Sequence, residues 1–548
     1  MPPPKKLNIW LPTLFSLVLV AGMLIGTKMQ SNPPTVAAIE QVKSEDLPPS
    51  TLGQGKLEEL IRYIESRYVD AVDKDELVKE AIDNILYQLD PHSSYISAEQ
   101  LKEVNEQLEG SFDGIGIEFV VVDDTVMVVA ALSGGPAEGA GIISGDKIVQ
   151  IEDSLTIGQN ITYEGILSKL KGERGSKIAL GVVRGDEKKI RNFTLTRDKI
   201  SVNSVEVSYM LDDLTGYIKI NRFSANTYEE FMKSLEKMVD EKGMKHLVID
   251  LRQNPGGYMQ EATNILSQLF KEKDKLLVYT EGKNVPRSDY KSTGRTFYDV
   301  DHIAVLTDEG SASASEILAG AIQDWDRGVI IGRRSFGKGL VQEQYRLRDG
   351  SAIRLTVARY YTPSGRCIQK PYIGRDDYEE DVSERLETGE LYDGHEILHE
   401  DTTKYYTGAG RVVYGGGGIE PDLFVPLDSI LLNPYFIHLN QHVASFAFRY
   451  LESHRPELEQ YSMEDFTAKF TVTDAIATDF LNFAVARGEK RNERSWAKVK
   501  EKVKLSIKAG IARHRWSDLG YHFVMNESDP SVAKAKQVVR KENPLSLK

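Results

Sequence analysis

The chain has 548 residues, which is enough for about three or four domains. Hydrophobic residues make up 41% of it, as in ordinary soluble globular proteins, and a formal net charge of −14 argues against nucleic acid as the principal partner. The single cysteine, Cys367, excludes an internal disulfide framework. No histidine-rich motif accompanies Cys367 as a nucleophile, so we expect it to be a buried structural residue in a strand after Ser364-Gly365.

The N-terminus has the pattern of a membrane-targeting segment. Lys5 and Lys6 precede an apolar run from Ile9 to Gly26, which is near the lower length limit for spanning a bilayer. Residues 1–30 fit a signal peptide or a signal anchor, and we favour the anchor because no small-x-small cleavage site follows directly. The lysines predict an N-terminus inside and the rest of the chain exported. The location that we expect is the periplasmic face of a bacterial inner membrane. Residues 31–55, rich in proline and polar residues, are typical of a linker.

Residues 56–109 are predicted to be helical. Leu57, Leu60, Ile61 and Ile64 share one helix face, and a second apolar face begins at Leu77. The segment Asp90-Pro91-His92-Ser93-Ser94-Tyr95 breaks the pattern. We interpret His92 as a turn residue rather than a catalytic histidine, because no other site element lies nearby in the sequence.

Residues 110–200 alternate as short strands around one helix start, which has Pro136 in its first turn. This region resembles a PDZ domain. PDZ domains add a peptide as an extra sheet strand and capture its terminal carboxylate in a loop of backbone amides. The residues that match this loop are Gly114, Ile115, Gly116 and Ile117. The alternative is a small β-rich spacer that binds no ligand.

From residue 201 to about 430, strands and helices alternate. Predicted strands at Tyr217–Ile220, Leu247–Leu251 and Lys275–Tyr279 indicate an α/β core with a largely parallel sheet. Ala352–Tyr361 is a further predicted strand. We expect residues 376–410 to contain an acidic, loop-like insertion.

Residues 431–548 are predicted to be mainly helical. Basic residues are frequent between Lys490 and Arg515. We interpret them as a solvated helix face, with a face toward an anionic membrane as the alternative.

A strand–helix–strand unit lies at the centre of the core. Strand-like Ile303–Leu306 and Val329–Ile331 flank a helix with apolar residues at helical spacing. Such a unit has parallel strands, and ligands bind beyond their carboxyl ends. Ser313 follows the first strand and Lys338 the second, so the two side chains can meet as a serine–lysine nucleophile.

A lysine accepts the serine proton only when it is neutral, which burial favours. Phe336, Gly337 and Gly339 put little polar material around Lys338. If a strand resumes there, its period of two places Gln342 on the same face as Lys338, where it could hold the amine by a hydrogen bond.

Other interpretations of these residues remain open at this point. Ser313 and Glu316 also form a capping-box pattern, and Ser311 and Ser315 are rival nucleophiles that spacing does not exclude. Gly332 to Lys338 imitates a phosphate loop, but a glycine stands where Ser or Thr must bind magnesium. A lone lysine after a glycine is otherwise usually a solvated loop residue.

A second strand–turn–helix converges on the same edge of the predicted sheet. A buried strand from His246 is followed by Arg252-Gln-Asn-Pro-Gly256-Gly257 and a helix. Either glycine lets a backbone N–H approach a ligand closely, and with the N–H of Ala314 it would form an oxyanion hole. The alternative is an ordinary Pro-Gly turn.

Four separated motifs together resemble the carboxyl-terminal processing (tail-specific) serine peptidases. They are DLRQNPGG, GSASASEI, Gln323-Asp324 and FGKGLVQ, in the order found in that family. The resemblance covers residues 57 to 426, roughly, and implies a multidomain α+β protein. Its parts would be an N-terminal helical region, a PDZ domain, an α/β protease core of the crotonase/ClpP type and a C-terminal helical extension.

The resemblance also assigns roles to residues. It implies Ser313 as nucleophile, Lys338 as general base and Gln342 as the partner that orients the lysine. Asp324 matches an acidic position of accessory role. The oxyanion hole would come from the backbone of Ala314 with Gly256 or Gly257.

We therefore expect a membrane-anchored, extracytoplasmic serine endopeptidase that cleaves proteins near their C-termini without a metal or nucleotide cofactor. Its PDZ domain would bind substrate tails and could gate access to the dyad. Expected partners are peptide and protein tails and the membrane, but not nucleic acid, and the sequence leaves open a homo-oligomer or an adaptor protein. The alternatives are a non-catalytic PDZ scaffold on a degenerate protease core and a crotonase-like acyl-CoA enzyme.

Overall fold

The computed structural model describes residues 54–546 except 123–124, 133, 157–161, 186, 188, 373–374 and 394–401. The predicted anchor, and all of the predicted linker but its last two residues, lie outside the described residues. None of the described helices is long and apolar enough to cross a membrane. The described chain divides into two compact units, one of residues 110–208 and 427–536 and the other of residues 54–109, 209–426 and 537–546.

The second unit begins with a helical segment that contains one strand. Its elements are α1 (Gln54–Arg67), α2 (Lys74–Tyr87), β1 (Ser94–Ile96) and α3 (Ala98–Glu109). Asp73 caps α2 by accepting hydrogen bonds from the backbone N–H groups of Asp75 and Glu76. Strand β1 begins within the stretch where the helical pattern was expected to break, and a distant strand at residues 352–354 pairs with it.

The PDZ region of the first unit is an antiparallel sheet in the strand order β3-β4-β5-β7-β8. Its helices are α4 (Pro136–Gly139), which begins at the predicted proline, and α5 (Tyr163–Leu170), which the sequence analysis did not predict. Only Ile166 and Leu170 of α5 are buried, so its periodic signal is weak. The strands are β2 (Ser111–Gly114), β3 (Ile117–Val122), β4 (Thr125–Ala131), β5 (Asp146–Ile151), β6 (Ser154–Leu155), β7 (Lys177–Arg184), β8 (Arg191–Thr196) and β9 (Asp198–Ser201).

The core of the second unit holds a parallel sheet, with strands β11, β12, β15, β16 and β21 side by side in that order. Every residue of β11 and β15 is buried, as expected for parallel strands covered on both faces. The elements are β10 (Val205–Met210), β11 (Thr215–Ile220), α6 (Thr227–Asp240), β12 (His246–Asp250), α7 (Met259–Leu269), β15 (Ile303–Thr307), α8 (Ala314–Asp324), β16 (Val329–Gly332) and β21 (Leu423–Phe424). The predicted strand–helix–strand unit is therefore β15–α8–β16.

The strand predicted at Lys275–Tyr279 belongs not to the parallel sheet but to a second, antiparallel sheet. It contains β13 (Lys273–Glu281), β14 (Ser288–Thr293), β17 (Leu340–Arg346) and β18 (Ala352–Tyr361), together with β1. Short connections such as residues 347–351 cannot cross over a sheet, so the strands that they join run antiparallel.

Two further expectations about this unit are wrong. The predicted acidic loop contains α9 (Arg375–Glu387) and α10 (Glu390–Asp393), and Tyr378 and Val382 are buried one helical turn apart. A hairpin of β19 (Lys404–Tyr406) and β20 (Val412–Tyr414) follows. Cys367 is only half-buried, and its segment returns from a tight turn to form a single bridge with Tyr361 rather than a strand.

The C-terminal part of the first unit is helical, as predicted. After a short 3-10 helix (Ser429–Leu432), its helices are α11 (Pro434–Asn440), α12 (Val443–Ser453), α13 (Arg455–Leu458), α14 (Met463–Lys469), α15 (Asp474–Val485), α16 (Glu493–Asn526) and α17 (Pro530–Val539). Within the predicted basic face, Lys500 and Lys504 both pair with Asp474 at 2.6 Å. This part also contacts the PDZ sheet, since Arg513 donates a hydrogen bond to Glu118 at 2.9 Å.

Candidate active site

Ser313 occupies a strained turn between β15 and α8. Its φ of 55° and ψ of −115° are rare for a residue with a side chain, and such strain is found mainly at functional sites. Gly256 makes the turn possible, because a Cβ atom on Gly256 would lie 2.7 Å from Ser313 Cβ. The loop after β12 and the start of α8 are therefore in close contact.

Lys338 is completely buried, which contradicts its interpretation as a solvated loop residue. It donates a hydrogen bond from Nζ to Gln342 Oε1 at 3.1 Å. Burial lowers the pKa of Lys338 well below its usual value, and the positive charge of Arg354 lowers it further, whereas Asp90 and Glu316 oppose this change. The Lys338 amine therefore loses its proton at a lower pH than the amine of an exposed lysine does.

Gln342 connects the lysine to the N-terminal segment. Its Nε2 donates to the backbone oxygen of His92 at 2.7 Å, a contact between residues 250 positions apart. The His92 ring lies in the turn, with Nε2 2.7 Å from the hydroxyl of Tyr378. The backbone of His92, not its imidazole, thus reaches the site, and no local pattern in the sequence could have indicated this.

Glu316 joins the serine and lysine segments through one buried carboxylate. Its Oε2 accepts the backbone N–H of Ser313 at 2.8 Å and that of Lys338 at 2.9 Å. Its Oε1 accepts the Ser335 hydroxyl at 2.5 Å and the Gly337 N–H at 2.7 Å. Burial raises the pKa of Glu316 to about 7, against the effect of these four donors.

The capping-box pattern predicted the contact of Glu316 with Ser313 but not its hydrogen bonds with the segment that carries Lys338. The only sequence signal for the latter was an acidic residue in the first turn of a mostly apolar helix. The hydroxyl of Tyr360 adds a second bridge, because it contacts the carbonyl oxygens of both Ser313 and Lys338.

The two rival serines make structural hydrogen bonds. Ser311 Oγ donates to the backbone oxygen of Leu251 at 2.9 Å, and Ser315 Oγ donates to that of Asn254 at 3.0 Å. Both hydroxyls thus fix the loop after β12 to the start of α8.

The predicted oxyanion donors differ in their hydrogen bonding. Both glycines have positive φ, 98° at Gly256 and 145° at Gly257. The N–H of Gly256 donates to Asn254 Oδ1 at 2.9 Å. The N–H groups of Gly257 and Ala314 donate to no residue that the structure describes. The N–H groups of Gly257 and Ala314 are therefore the ones available to form an oxyanion hole, which stays a prediction.

Asp324 lies at the far end of α8, about 16 Å along the helix from Ser313. Its Oδ1 accepts a hydrogen bond from Arg366 at 2.8 Å, and its Oδ2 accepts the N–H of Ser364 at 2.9 Å. These contacts stabilise the turn after β18. Its accessory role stays a prediction.

The predicted carboxylate loop connects β2 and β3 of the PDZ region. The carbonyl oxygens of Ile115 and Gly116 accept hydrogen bonds from Ala137 and Leu132, each at 2.9 Å. Their N–H groups donate to no residue within the described part of the chain. Gly114 ends β2, and Ile117 begins β3, the edge strand of the sheet.

The segment that imitates a phosphate loop has another structure. A strand, β17, follows it rather than a helix, and Glu316 occupies the N–H groups of Gly337 and Lys338. A phosphate loop uses such N–H groups to bind its ligand, so the nucleotide interpretation is wrong.

A strained serine after one parallel strand and a buried lysine after the next form the arrangement expected of the class of serine hydrolases. The sequence matches Peptidase family S41 over residues 214–378 and the PDZ domain over residues 114–195. Residues 435–517 match a family of unknown function, DUF8443.

Curated relatives make the assignment more specific. The chain is 34% identical to the carboxy-terminal processing protease CtpB of Bacillus subtilis, over 64% of this chain and 72% of that protein. It is 36% identical to a carboxy-terminal-processing protease of Bartonella bacilliformis, over 57% of this chain and 71% of that protein. A solved photosystem II D1 C-terminal processing protease is 26% identical, over 69% of this chain and 94% of that one, with a TM-score of 0.35. The chain belongs to the carboxyl-terminal processing serine peptidases of family S41 and carries a PDZ domain.

Proposed function

We propose that this serine peptidase works through a Ser313–Lys338 dyad and cleaves exported proteins near their C-termini. The neutral Lys338 amine removes the proton from the Ser313 hydroxyl as its oxygen attacks the scissile carbonyl. The resulting ammonium then protonates the leaving amine, and water hydrolyses the acyl-enzyme with the same amine as base.

The observation that carries this proposal is the burial of Lys338. An exposed lysine is almost fully protonated at neutral pH and cannot act as a base. The complete burial of Lys338 disfavours the ammonium form, and the hydrogen bond to Gln342 fixes the position of the amine.

The negative oxygen of the tetrahedral intermediate would be bound by the N–H groups of Gly257 and Ala314. Donors fixed in place before the reaction stabilise this charge without reorganisation. Both belong to turns that are held rigidly, the first by the hydrogen bonds of Asn254 and the second by Glu316.

Substrate tails would bind to the PDZ domain. A peptide would pair with the edge strand β3, and its terminal carboxylate would accept the N–H groups of the Gly114–Ile117 loop. The N-terminal apolar run would anchor the enzyme so that it acts on proteins outside the cytoplasm.

The test is hydrolysis of a protein that carries a C-terminal tail by the full chain. Ser313→Ala and Lys338→Ala should each abolish hydrolysis without unfolding the chain, whereas Ser311→Ala and Ser315→Ala should retain it. Retained hydrolysis in a folded Ser313→Ala variant would refute the proposal.

A further inference from the structure

Arg354 is a buried arginine that pairs with no carboxylate of the described residues. It is 1% exposed, and its Nε and Nη1 atoms have no hydrogen-bond partner within the described part of the chain. Its Nη2 lies 3.5 Å from Gln344 Oε1, at the limit for a hydrogen bond. No carboxylate of the described residues lies within ion-pair distance of it.

Other buried arginines of the same unit are paired. Arg366 lies 2.8 Å from Asp324, Arg385 lies 2.9 Å from Glu390, and both are at most 4% exposed at the side chain. Pairing is the usual condition for burying a charge, because an uncompensated ion in the protein interior is costly. Arg354 is therefore not explained as an ordinary structural arginine.

The strand register places Arg354 near Gln342, the residue that accepts the Lys338 hydrogen bond. Arg354 on β18 lies opposite Gln344 on β17, and two residues further along β18 Thr356 lies opposite Gln342. Gln342 and Gln344 are both buried on one face of β17, where residues two apart are separated by about 7 Å. Since Gln342 accepts the hydrogen bond of the Lys338 amine and Gln344 Oε1 lies 3.5 Å from Arg354 Nη2, two cationic groups face the same buried region.

We propose that Arg354 is a positioning residue of the active site whose uncompensated charge keeps the Lys338 amine neutral, ready to accept the Ser313 proton. The inference deepens the proposed dyad and rests on it. Two like charges in the interior repel each other strongly, and the group that loses its proton more easily is the amine. At neutral pH the pair then carries one charge, and Arg354 holds it.

The pKa values of the neighbouring groups agree with a charged Arg354 and an uncharged Lys338. Burial lowers the pKa of Arg354 to about 10, so it is still protonated at neutral pH. Tyr258 faces Arg354, and Tyr360 contacts the backbone of Lys338. Burial raises the pKa of both phenols, so neither supplies a negative charge.

Two carboxylates oppose the effect of Arg354. Asp90, from the turn before β1, favours the ammonium form of Lys338 but accepts hydrogen bonds from Ser93 and Thr356. Glu316, from α8, also favours the ammonium form, but with a pKa of about 7 it is only partly ionised at neutral pH. Removing Arg354 would leave these carboxylates unopposed.

The test measures the protonation of Lys338 directly. NMR titration of isotopically labelled lysine side chains in the full-length Ser313→Ala chain gives the pKa of Lys338, assigned as the signal lost on Lys338→Met. Adding Arg354→Met should raise that pKa by about one pH unit or more. Arg359→Met, which removes an exposed charge from the same strand, should leave it unchanged. Arg354→Gln, which keeps a polar contact to Gln344, gives the same measurement if methionine impairs folding.

In the hydrolytically competent chain, Arg354→Met should shift the rise of kcat/KM to higher pH by the same amount. An unchanged Lys338 pKa in a folded Arg354→Met or Arg354→Gln chain would overturn the inference. A loss of activity at every pH with an unchanged Lys338 pKa would also overturn it and assign Arg354 to substrate binding. The titration does not require hydrolysis, so it tests the role of Arg354 separately from the proposed dyad. The dyad is tested by the activity of the Ser313→Ala and Lys338→Ala variants.

Discussion

Ser313 and Lys338 donate their backbone N–H groups to the same carboxylate oxygen of Glu316, at 2.8 and 2.9 Å. This shared acceptor holds the segment that carries the hydroxyl and the segment that carries the amine at a fixed separation. Catalysis by a serine–lysine pair depends on such positioning, because small displacements of reacting groups reduce the rate strongly.

Glu316→Gln should therefore lower both stability and kcat. Both carboxylate oxygens of Glu316 accept hydrogen bonds, and glutamine replaces one of them with an NH2 group that cannot accept. Loss of a buried hydrogen bond to a charged group costs about 2 kcal/mol. Denaturant unfolding and steady-state hydrolysis measure the two effects.

The same variant changes how stability depends on pH. Because folding raises the pKa of Glu316 from 4.5 to about 7, the folded state binds the proton more tightly. Its contribution to stability is complete below pH 4.5 and is lost as the pH rises toward 7. Glu316→Gln should lack this decline, and an equal decline in both proteins would contradict the assignment.

The rate of the wild-type enzyme should rise with pH through an apparent pKa well below that of free lysine. The amine is the active form, and burial together with Arg354 lowers its pKa. The measurement is kcat/KM for one peptide in constant ionic strength buffers. A flat profile between pH 6 and about 10 would show that the amine is not the base.

Gln342→Glu should shift that profile toward higher pH. A carboxylate in place of the amide that accepts the Lys338 hydrogen bond favours the ammonium form, so a higher pH is needed to remove its proton. Gln342→Ala, which adds no charge, should instead reduce kcat by about tenfold without this shift, since the hydrogen bonds that position the amine and join Gln342 to His92 are lost. Identical profiles for the two variants would contradict the role of Gln342.

Gly256→Ala should greatly reduce hydrolysis. The new Cβ atom would lie 2.7 Å from both Ser313 Cβ and the Ala312 carbonyl oxygen, so the turn that carries the serine must move. Gly243→Ala is a matched control, because Gly243 also has positive φ, of 71°, but a Cβ there meets nothing within 4 Å. The control should lose about 1 kcal/mol of stability and keep its kcat. Equal activity of the two variants would exclude a close packing requirement at Gly256.

Gly116→Ala should weaken binding of substrate tails. A Cβ on Gly116 would lie 3.0 Å from Ile200 Cδ1, and the loop could not keep its φ of 75° without strain. Fluorescence anisotropy of a labelled peptide with a free C-terminal carboxylate, added to the full-length Ser313→Ala chain, measures this. Gly134→Ala is the control, with a similar φ of 74° and no atom of the described residues beyond its chain neighbours within 4 Å of its Cβ. Equal binding by both variants, or equal binding of an amidated peptide, would exclude this loop as the carboxylate site.

Local patterns predicted the parts of the site that lie close to one another in sequence. The strand–helix–strand pattern was sufficient to expect a serine and Lys338 at one sheet edge, but spacing did not exclude Ser311 or Ser315, and only the family resemblance selected Ser313. The contact of His92 with Gln342 joins residues 250 positions apart, and no local sequence pattern in either segment indicates it.

The antiparallel sheet was missed for a similar reason. The connections within β13–β14 and β17–β18 are short and favour antiparallel pairs, but they do not show that these pairs form a sheet of their own. Arg354 belongs to this sheet, so its proximity to Lys338 follows from the register with β17 and not from its own sequence context.

The most direct measurement is the labelling of the full chain with a fluorophosphonate, with the modified residue identified by mass spectrometry. We expect a single modified serine, Ser313, labelled at a rate that rises with pH and falls to background in Lys338→Met. Labelling of Ser311 or Ser315 instead, or an unchanged rate at Ser313 in Lys338→Met, would contradict a mechanism in which the buried amine activates the hydroxyl.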